Sequence, residues 1–271
     1  MATYLDRILA AHREAAAADR RSLDQLVAQA LVAPMPGGFE AAIRGAHGVA
    51  VIAEVKRRSP RGPLDPGLDP ALVARAYREG GASCLSVLTD RDFFGGSAED
   101  LAAARRAGGL PTLRKDFTVS AADVCDARIM GADAVLLIAA ALPPSQLAEL
   151  VALARQLGLD SLVEVHGEDE LEAALAAGAR LVGVNQRDLA TFEVDRGRAE
   201  RLRPLLPSGV LAVAESGIGG PADVRRLADA GYEAVLVGSC LVAARDRRGA
   251  VASLVEAGTR TGAGAGGQGC S

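Results

Sequence analysis

The sequence predicts a single (β/α)8 TIM barrel, and three observations lead to that fold class. Eight short apolar runs alternate with helical segments, as parallel strands do when each is joined to the next by a crossover helix. The chain has 271 residues, a length that α/β barrels often reach as one domain. A doubly wound open sheet is less favoured, because no GxGxxG or P-loop pattern follows the first strand.

Two helical segments precede the first strand and form an N-terminal helical extension over residues 1–45. The first runs from about residue 3 to 19 with a modest apolar stripe, and the second covers residues 22–31 and ends before two prolines. They could cap one end of the barrel or close off apolar surface. We expect the barrel domain, with this extension, to span residues 1–257, and the Gly-rich tail 258–271 to be disordered.

The barrel strands are predicted from short apolar and β-branched runs, and the helices from their start and stop signals. Asp69 is a predicted N-cap, and Ser-x-x-Asp patterns begin the helices at Ser97 and Ser120. The predicted strands are 49–56, 84–89, 111–115, 134–139, 161–166, 181–186, 210–215 and 234–238. The predicted helices after the extension are 70–80, 97–108, 120–131, 144–158, 168–178, 195–205, 221–231 and 249–257.

Composition excludes several classes of function. A net charge of -4 with 3% aromatic residues and no Trp argues against a nucleic-acid partner. The four cysteines and three histidines are scattered, which argues against a zinc site and a disulfide framework and for a reducing compartment. No apolar run reaches membrane-spanning length, and the N-terminus does not read as a signal peptide. We therefore expect a cytoplasmic protein without membrane partners.

The first strand ends in a charged pair, Glu54 and Lys56. Residues two apart in a strand point to the same side, so both charges face one way. Such a pair is costly at a buried strand end unless it is paired or solvated. A structural salt bridge and a functional site are both compatible with this stretch alone.

Polar residues also follow the other strands, and a barrel gathers the carboxyl ends of its strands at one mouth. The set comprises Glu54, Lys56, Lys115, Glu164, Asn185, Arg187 and Glu215. Charged groups are rarely gathered inside a barrel without a ligand to bind. Carboxylates and lysines held close together in a dry cleft have perturbed pKa values, which suits acid–base chemistry.

Two glycine-containing loops predict a phosphate site. Ser216 and Gly217 follow the seventh strand, and Gly238 and Ser239 follow the eighth. Glycines let the backbone approach an anion, and the recurrent barrel phosphate site lies after strands seven and eight.

The loop after the second strand, residues 93–97 (FFGGS), carries adjacent phenylalanines. They could pack under the loop or form a wall of an apolar pocket, with Phe117 as another part of it.

Several motifs together resemble the indole-3-glycerol-phosphate synthase family of tryptophan biosynthesis. They are residues 52–60 (IAEVKRRSP), 85–90 (LSVLTD), 93–97 (FFGGS), 113–117 (LRKDF), 162–166 (LVEVH), 183–189 (GVNQRDL), 215–218 (ESGI) and 236–239 (LVGS). The resemblance covers the chain from the first helix to the last. Arg61, Gln186 and Cys240 depart from the usual residues, at positions to which the family assigns no catalysis.

The resemblance implies a lyase that converts 1-(2-carboxyphenylamino)-1-deoxyribulose 5-phosphate into indole-3-glycerol phosphate, carbon dioxide and water. It implies that Lys115 is the acid in ring closure and that Glu164 is the base in dehydration. A lysine among other cations can have its pKa lowered toward neutrality, and we expect such a shift for Lys115. Lys56 would bind the substrate carboxylate and could also be the acid in dehydration. Neither a metal nor an organic cofactor is implied. The chain is expected to be a monomer, with a weak homo-oligomer as the alternative.

The remaining roles follow from the same resemblance. Glu54 and Asn185 would orient groups and bind sugar hydroxyls, and Glu215 would support the lysines. Ser59 and Arg187 would lie near the substrate and the loop after the first strand, and residues 57–60 would form a mobile loop over the substrate. Ser216, Gly217, Gly238 and Ser239 would hold the phosphate, and Phe94, Phe117, Leu136 and Leu236 would line the pocket for the aromatic ring. One alternative function is that of a phosphoribosyl isomerase, but no Cys or Asp ends the first strand. Another alternative is a barrel that binds phosphate without catalysis, but such a barrel would not need both Lys115 and Glu164.

Overall fold

Eight parallel strands close into a barrel in the computed structural model, which describes residues 3–59, 62–188 and 191–259. Each strand pairs with its neighbours along the chain, and the first pairs with the last. In chain order the strands are β1 (Ala50–Val55), β2 (Cys84–Leu88), β3 (Thr112–Lys115), β4 (Ala134–Ile138), β5 (Asp160–Val165), β6 (Leu181–Asn185), β7 (Leu211–Glu215) and β8 (Ala234–Val237). The predicted (β/α)8 barrel is confirmed.

Strand register brings the polar strand ends to one height. Almost all strand residues are buried, since helices cover the outer face and side chains fill the interior. Glu54 of β1 lies opposite Ser86 of β2, and Asn185 of β6 lies opposite Glu215 of β7. Because side chains alternate between the two faces, Glu54, Asn185 and Glu215 all point into the barrel near its carboxyl-terminal mouth.

The helices form the outer layer. They are α1 (Tyr4–Ala18), α2 (Leu23–Val32), α3 (Phe39–Arg44), α4 (Pro70–Glu79), α5 (Ala98–Gly108), α6 (Ala121–Ile129), α7 (Pro144–Gln156), α8 (Glu168–Ala176), α9 (Arg198–Leu202), α10 (Pro221–Asp229), α11 (Ser239–Ala243) and α12 (Arg247–Gly258). The predicted caps are present: the side chains of Asp69, Ser97 and Ser120 each accept a hydrogen bond from a first-turn N–H.

Four short elements of the described residues were not predicted: α3, α11, a 3-10 turn over Ala139–Ala141, and a small antiparallel hairpin of Arg58–Ser59 with Gly62–Pro63. Each is too short to show a hydrophobic period. The helix predicted over 195–205 is α9 followed by a 3-10 turn, Arg203–Leu205. Proline at the centre of that turn cannot donate the hydrogen bond that would continue an α-helix.

The extension covers both ends of the barrel. At the mouth, α1 brings His12 Nε2 to within 2.9 Å of Asp90 Oδ2, in the loop after β2. At the opposite end, α3 buries Phe39 completely, and Glu40 N donates to Asp160 Oδ2 at the start of β5 over 2.8 Å. The extension therefore both caps the barrel and covers apolar surface.

The chain after α12 bears on the predicted tail. Helix α12 includes Gly258, which is buried there, so the predicted tail begins too early in the chain. Residues 260–271 lie outside the described residues, and disorder of that segment stays a prediction. Within the described residues no helix is long and apolar enough to span a membrane. In the same part of the chain Cys84, Cys125 and Cys240 are free thiols.

Candidate active site

A cavity of about 380 Å³ opens at the carboxyl-terminal mouth of the barrel. Apart from Ser59, all the predicted site residues line it. They are Glu54, Lys56, Phe94, Lys115, Phe117, Leu136, Glu164, Asn185, Arg187, Glu215, Ser216, Gly217, Leu236, Gly238 and Ser239. The fold therefore gathers residues from all eight strands or their following loops around one space. Ser59 lies in the hairpin after β1, where its hydroxyl donates to the Gly62 carbonyl over 3.4 Å.

Glu54 and Lys56 form an ion pair on the cavity wall. Burial opposes ionisation of Glu54, but Lys56 and Lys115 outweigh it and hold the pKa of this carboxyl below its ordinary value. The carboxylate occupies space left by Gly238, where an added Cβ would lie 2.2 Å from Glu54 Oε1. The two interpretations of this pair are thus compatible: it is a salt bridge, and it faces the cavity.

Lys115 lies between two buried carboxylates. Its Nζ is 3.4 Å from Glu164 Oε2 and 3.7 Å from Glu215 Oε2. Burial would lower the pKa of Lys115, but Glu164, Glu215 and Glu54 outweigh that effect and raise it. The prediction of a lowered pKa was wrong, because the groups nearest to Nζ are carboxylates rather than cations.

Glu164 is ionised and almost fully buried. One of its oxygens, Oε1, accepts a hydrogen bond from Asn185 Nδ2 at 3.0 Å, and the other faces Lys115. Burial acts to raise the pKa of Glu164, but Lys115 and His166 lower it below the ordinary value. A carboxylate with only acceptor oxygens, held beside an ammonium, is suited to take up a proton during a reaction.

Glu215 has the opposite character. Burial and the neighbouring charge of Glu164 raise the pKa of Glu215 to about 8. Its Oε1 makes no hydrogen bond within the described residues and projects into space left by Gly183, where an added Cβ would lie 2.0 Å away. Two neighbouring carboxyls with pKa values shifted in opposite directions are typical of acid–base sites.

The loops after β7 and β8 carry the residues predicted to hold phosphate. Ser216 and Gly217 adopt φ values of 64° and 71°, a left-handed pair that turns the chain sharply. Helix α11 begins at Ser239, directly after Gly238, and both residues line the cavity. Arg196 also lines this part, which the sequence did not indicate, because it lies in the irregular connection after β6.

Apolar side chains also line the cavity. The rings of Phe94 and Phe117 lie 6.1 Å apart at 34°, and the other apolar residues of the lining include Leu136, Ile138 and Leu236. Phe93, the neighbour of Phe94, instead makes an edge contact with Tyr4 of α1 at 6.0 Å. Both alternatives for the two phenylalanines therefore hold: Phe94 lines the cavity, and Phe93 packs outside it.

Helix α1 holds this aromatic wall through a cluster that the sequence analysis missed. Asp90 Oδ1 accepts from the N–H groups of Phe93 and Phe94 at 2.6 and 3.0 Å, while its Oδ2 meets His12. The ring of His12 lies 5.5 Å from that of Phe117. With Asp116, His12 and Asp90 are the three potential metal ligands that cluster in the described part of the chain, but they are held by one another and by Arg114.

Part of the loop after β1 is anchored rather than free over the mouth. Arg57 forms an ion pair with Asp100 of α5 and donates to the Leu68 carbonyl at 3.1 Å. Arg57 therefore points away from the cavity. Pro60 and Arg61 lie outside the described residues, so mobility of that part stays a prediction.

The rarity of lysine is a further sequence signal for this site. The chain contains only two lysines, Lys56 and Lys115, against a total of 30 basic residues. Both lie in the cavity. Every surface cation is thus arginine, and lysine stands only where a compact ammonium group contacts buried carboxylates.

Comparison with known proteins identifies the family of this chain. The sequence profile of the indole-3-glycerol phosphate synthase family matches residues 5–254. The chain belongs to this family. Members named indole-3-glycerol phosphate synthase include those of Mycolicibacterium vanbaalenii, 51% identical, and Mycobacteroides abscessus, 50% identical; each comparison covers 95% of both chains. The predicted resemblance is confirmed, and with it the class of a decarboxylating, ring-closing lyase of tryptophan biosynthesis.

Among solved structures, a 3-hexulose-6-phosphate synthase superposes with a TM-score of 0.60 at 18% identity. The match covers 77% of this chain and 99% of that one. At this identity the likeness concerns the barrel fold alone.

Proposed function

We propose that the cavity binds 1-(2-carboxyphenylamino)-1-deoxyribulose 5-phosphate and converts it to indole-3-glycerol phosphate, carbon dioxide and water. The observation that carries the proposal is Lys115, an ammonium group held at 3.4 and 3.7 Å from two buried carboxylates inside the cavity. Ring closure onto a ketone needs such a proton donor, and rearomatisation needs a nearby base.

In the first step, the aromatic carbon that bears the carboxylate attacks the ketone carbon. The electron pair of the C=O bond moves to oxygen, which takes a proton from Lys115 Nζ. The raised pKa of Lys115 keeps this donor charged in the resting enzyme. The loss of one positive charge next to Glu164 and Glu215 is partly offset because Glu215, with its raised pKa, is already neutral at pH 7.

In the second step the carboxylate leaves as carbon dioxide, and its electron pair restores the benzene ring. Lys56, paired with Glu54 on the cavity wall, is placed to hold that carboxylate until the ring has closed. Because a carboxylate enters and neutral carbon dioxide leaves, each turnover takes up one proton from solvent.

In the third step the hydroxyl made in the first leaves as water. A proton passes to Glu164 from the ring carbon between the nitrogen and the hydroxyl-bearing carbon, and the C–H electron pair forms the new ring double bond. An ammonium group, Lys56 or a Lys115 that has regained its proton from solvent, protonates the departing oxygen. Asn185 orients Glu164 through the bond to Oε1. Arg187 and Ser59 belong to the substrate surroundings in this proposal.

The two ends of the cavity suit the two ends of the substrate. The loop of Ser216 and Gly217, with Gly238 and Ser239 at the start of α11, supplies backbone N–H groups for the phosphate. The wall of Phe94, Phe117, Leu136 and Leu236 accommodates the aromatic ring. This division orients the ketone toward the charged centre.

The test is indole formation from the carboxyphenylamino-deoxyribulose phosphate, followed by fluorescence in a single turnover. Lys115→Ala should lower the rate at least ~10³-fold, as expected when a general acid and its charge are removed. Near-normal activity of Lys115→Ala would remove Lys115 from the mechanism. Because the chain has two lysines, ¹⁵N-lysine labelling gives two Nζ signals, and their titration measures the raised pKa of Lys115 directly.

The phosphate assignment has a separate test. Equilibrium binding of the substrate is compared with that of its dephosphorylated form, with Lys115→Ala used to prevent turnover. The phosphorylated compound should bind at least ~100-fold more tightly, since several N–H donors meet a dianion. Equal affinities would show that these loops do not hold the phosphate.

A further inference from the structure

His166 lies one residue beyond β5 and outside the wall of the cavity. It is two positions after Glu164, so both side chains project to the same side of the strand. His166 Nε2 is 3.5 Å from Glu164 Oε1, is fully buried, and has no hydrogen-bond partner within the described residues. The side chain as a whole is 11% exposed.

Glu170, in the first turn of α8, fixes the orientation of this ring. Its Oε2 accepts from the backbone N–H of His166 at 2.8 Å and lies 3.1 Å from His166 Nδ1. An acidic side chain that reaches back to an N–H before the helix is a capping interaction, so the ring and the helix start are held by one group. The imidazole cannot turn away from Glu164 without losing this contact.

Both ring nitrogens thus face carboxylate oxygens. Ionised carboxylates only accept hydrogen bonds, so a neutral imidazole would direct a lone pair at one of them. The arrangement fits an imidazolium, with a proton on each nitrogen. The other charged group that faces the ring is Arg198 of α9, which opposes this charge, yet the pKa of His166 is raised: burial lowers it, but Glu170 and Glu164 outweigh both effects.

We propose that His166, fixed by Glu170, is a positioning residue that keeps Glu164 ionised and oriented as the base of the reaction. This inference rests on the role proposed above for Glu164. Lys115 is the other cation beside Glu164, and it becomes neutral when it gives its proton to the ketone. At that stage His166 is the positive charge that still contacts Glu164, and it prevents this buried carboxylate from taking a proton before dehydration.

The coupling is measured by NMR titration of the imidazole protons. The chain has three histidines, so His12→Asn and His47→Asn assign the third signal to His166. We expect its pKa to lie above 6.5 in the wild type and to fall by about one unit in Glu164→Gln, because one facing carboxylate is lost. An unchanged His166 pKa in Glu164→Gln would overturn the proposal, and this test does not require the His166 variant to fold.

The consequence for catalysis is measured by the pH profile of kcat/KM. His166→Asn should move the acidic limb upward by about one pH unit, since Glu164 loses a facing cation. The matched control is His47→Asn, because His47 is exposed and lies between α3 and β1 at the other end of the barrel. The acidic limb of its pH profile should coincide with that of the wild type. An unmoved limb in His166→Asn, with or without a lower rate, would show that His166 has only a structural role.

The two proposals fail separately. Full activity of Glu164→Gln would remove Glu164 as the base, whatever the titration of His166 shows. Loss of activity in Glu164→Gln together with an unchanged His166 pKa would keep the base and reject the positioning residue.

Discussion

Glu215→Gln should make the protein more stable and less active. Glu215 is 2% exposed, and its pKa is raised from 4.5 to about 8 by burial and by Glu164. At pH 7 the folded state therefore carries a protonated Glu215, whereas the unfolded chain ionises it. Folding at pH 7 therefore requires that Glu215 bind a proton, which costs free energy. A glutamine of the same shape is neutral in both states and removes that cost.

The size of the effect follows from the pKa values. The unfolded carboxyl, with a pKa of 4.5, lies 2.5 pH units below pH 7, and each unit corresponds to about 1.4 kcal/mol. The free energy of unfolding of the wild type at pH 7 is therefore about 3 kcal/mol lower than that of the variant. The sign is that of a group whose folded pKa is raised: stability is fully present below pH 4.5 and is lost as pH rises toward 8. At pH 5 the same difference is about 0.7 kcal/mol.

The assay is urea unfolding of both proteins at pH 5, 6 and 7. Glu215→Gln should unfold at higher urea at pH 7, with a difference in unfolding free energy that shrinks by about 1.4 kcal/mol per unit as pH falls. Glu79→Gln, an exposed residue at the end of α4, serves as the matched control and should show no such slope. A difference that is the same at pH 5 and pH 7 would refute the reasoning.

Three further predictions test other parts of the structure. Gly183→Ala should lower kcat at least ~10-fold while the fold persists, because its Cβ would displace Glu215 from Lys115; unchanged kinetics would contradict the close packing seen here. His12→Asn should lower the free energy of unfolding by about 1 kcal/mol between pH ~4 and ~6.5, where Asp90 is ionised and His12 is charged. This loss should fade as the pH rises through the raised pKa of His12, and an equal loss at pH 8 would rule out a role for this ion pair. Arg128→Met should destabilise by about 3 kcal/mol in urea unfolding, since the carbonyls of Ala33 and Pro34 after α2 and of Leu157 after α7 lose their buried donor; wild-type stability would show these bonds to be dispensable.

The strand ends could be predicted from the sequence because two rules suffice for them. Side chains alternate along a strand, and a parallel barrel collects carboxyl ends at one face. Glu54, Lys115, Glu164, Asn185 and Glu215 accordingly line one cavity. None of this requires knowledge of how far apart any two strands lie.

The ionisation of the site residues was harder to predict from the sequence, because it depends on the distances between charged groups. From the sequence, Lys115 appeared among cations as well as acids, and a lowered pKa followed. The structure places Lys56 against Glu54 and places Lys115 between Glu164 and Glu215, so each lysine faces carboxylates. The opposite shifts of Glu164 and Glu215 arise from the same contacts.

Contacts from outside the barrel were not predicted at all. His12 and Asp90 are 78 positions apart, and although Asp90 ends the motif 85–90, no pattern in the sequence pairs it with His12. Arg196 reaches the cavity from an irregular connection, where neither helical nor strand period applies. Short α11 had no period to detect, although Gly238 and Ser239 at its start were predicted for other reasons.

By itself the sequence determined the fold class, the family and which side chains stand at the mouth, because hydrophobic period, caps and motif order are local properties of the chain. Only the tertiary structure decided which of these groups touch, which carry charge, and how α1 supports the aromatic wall. Those properties depend on distances of a few ångströms across the barrel and on burial, to which electrostatic energy is steeply sensitive. Gly238 shows the difference: its place after the eighth strand predicts a phosphate loop, while the structure shows that it also leaves space for Glu54.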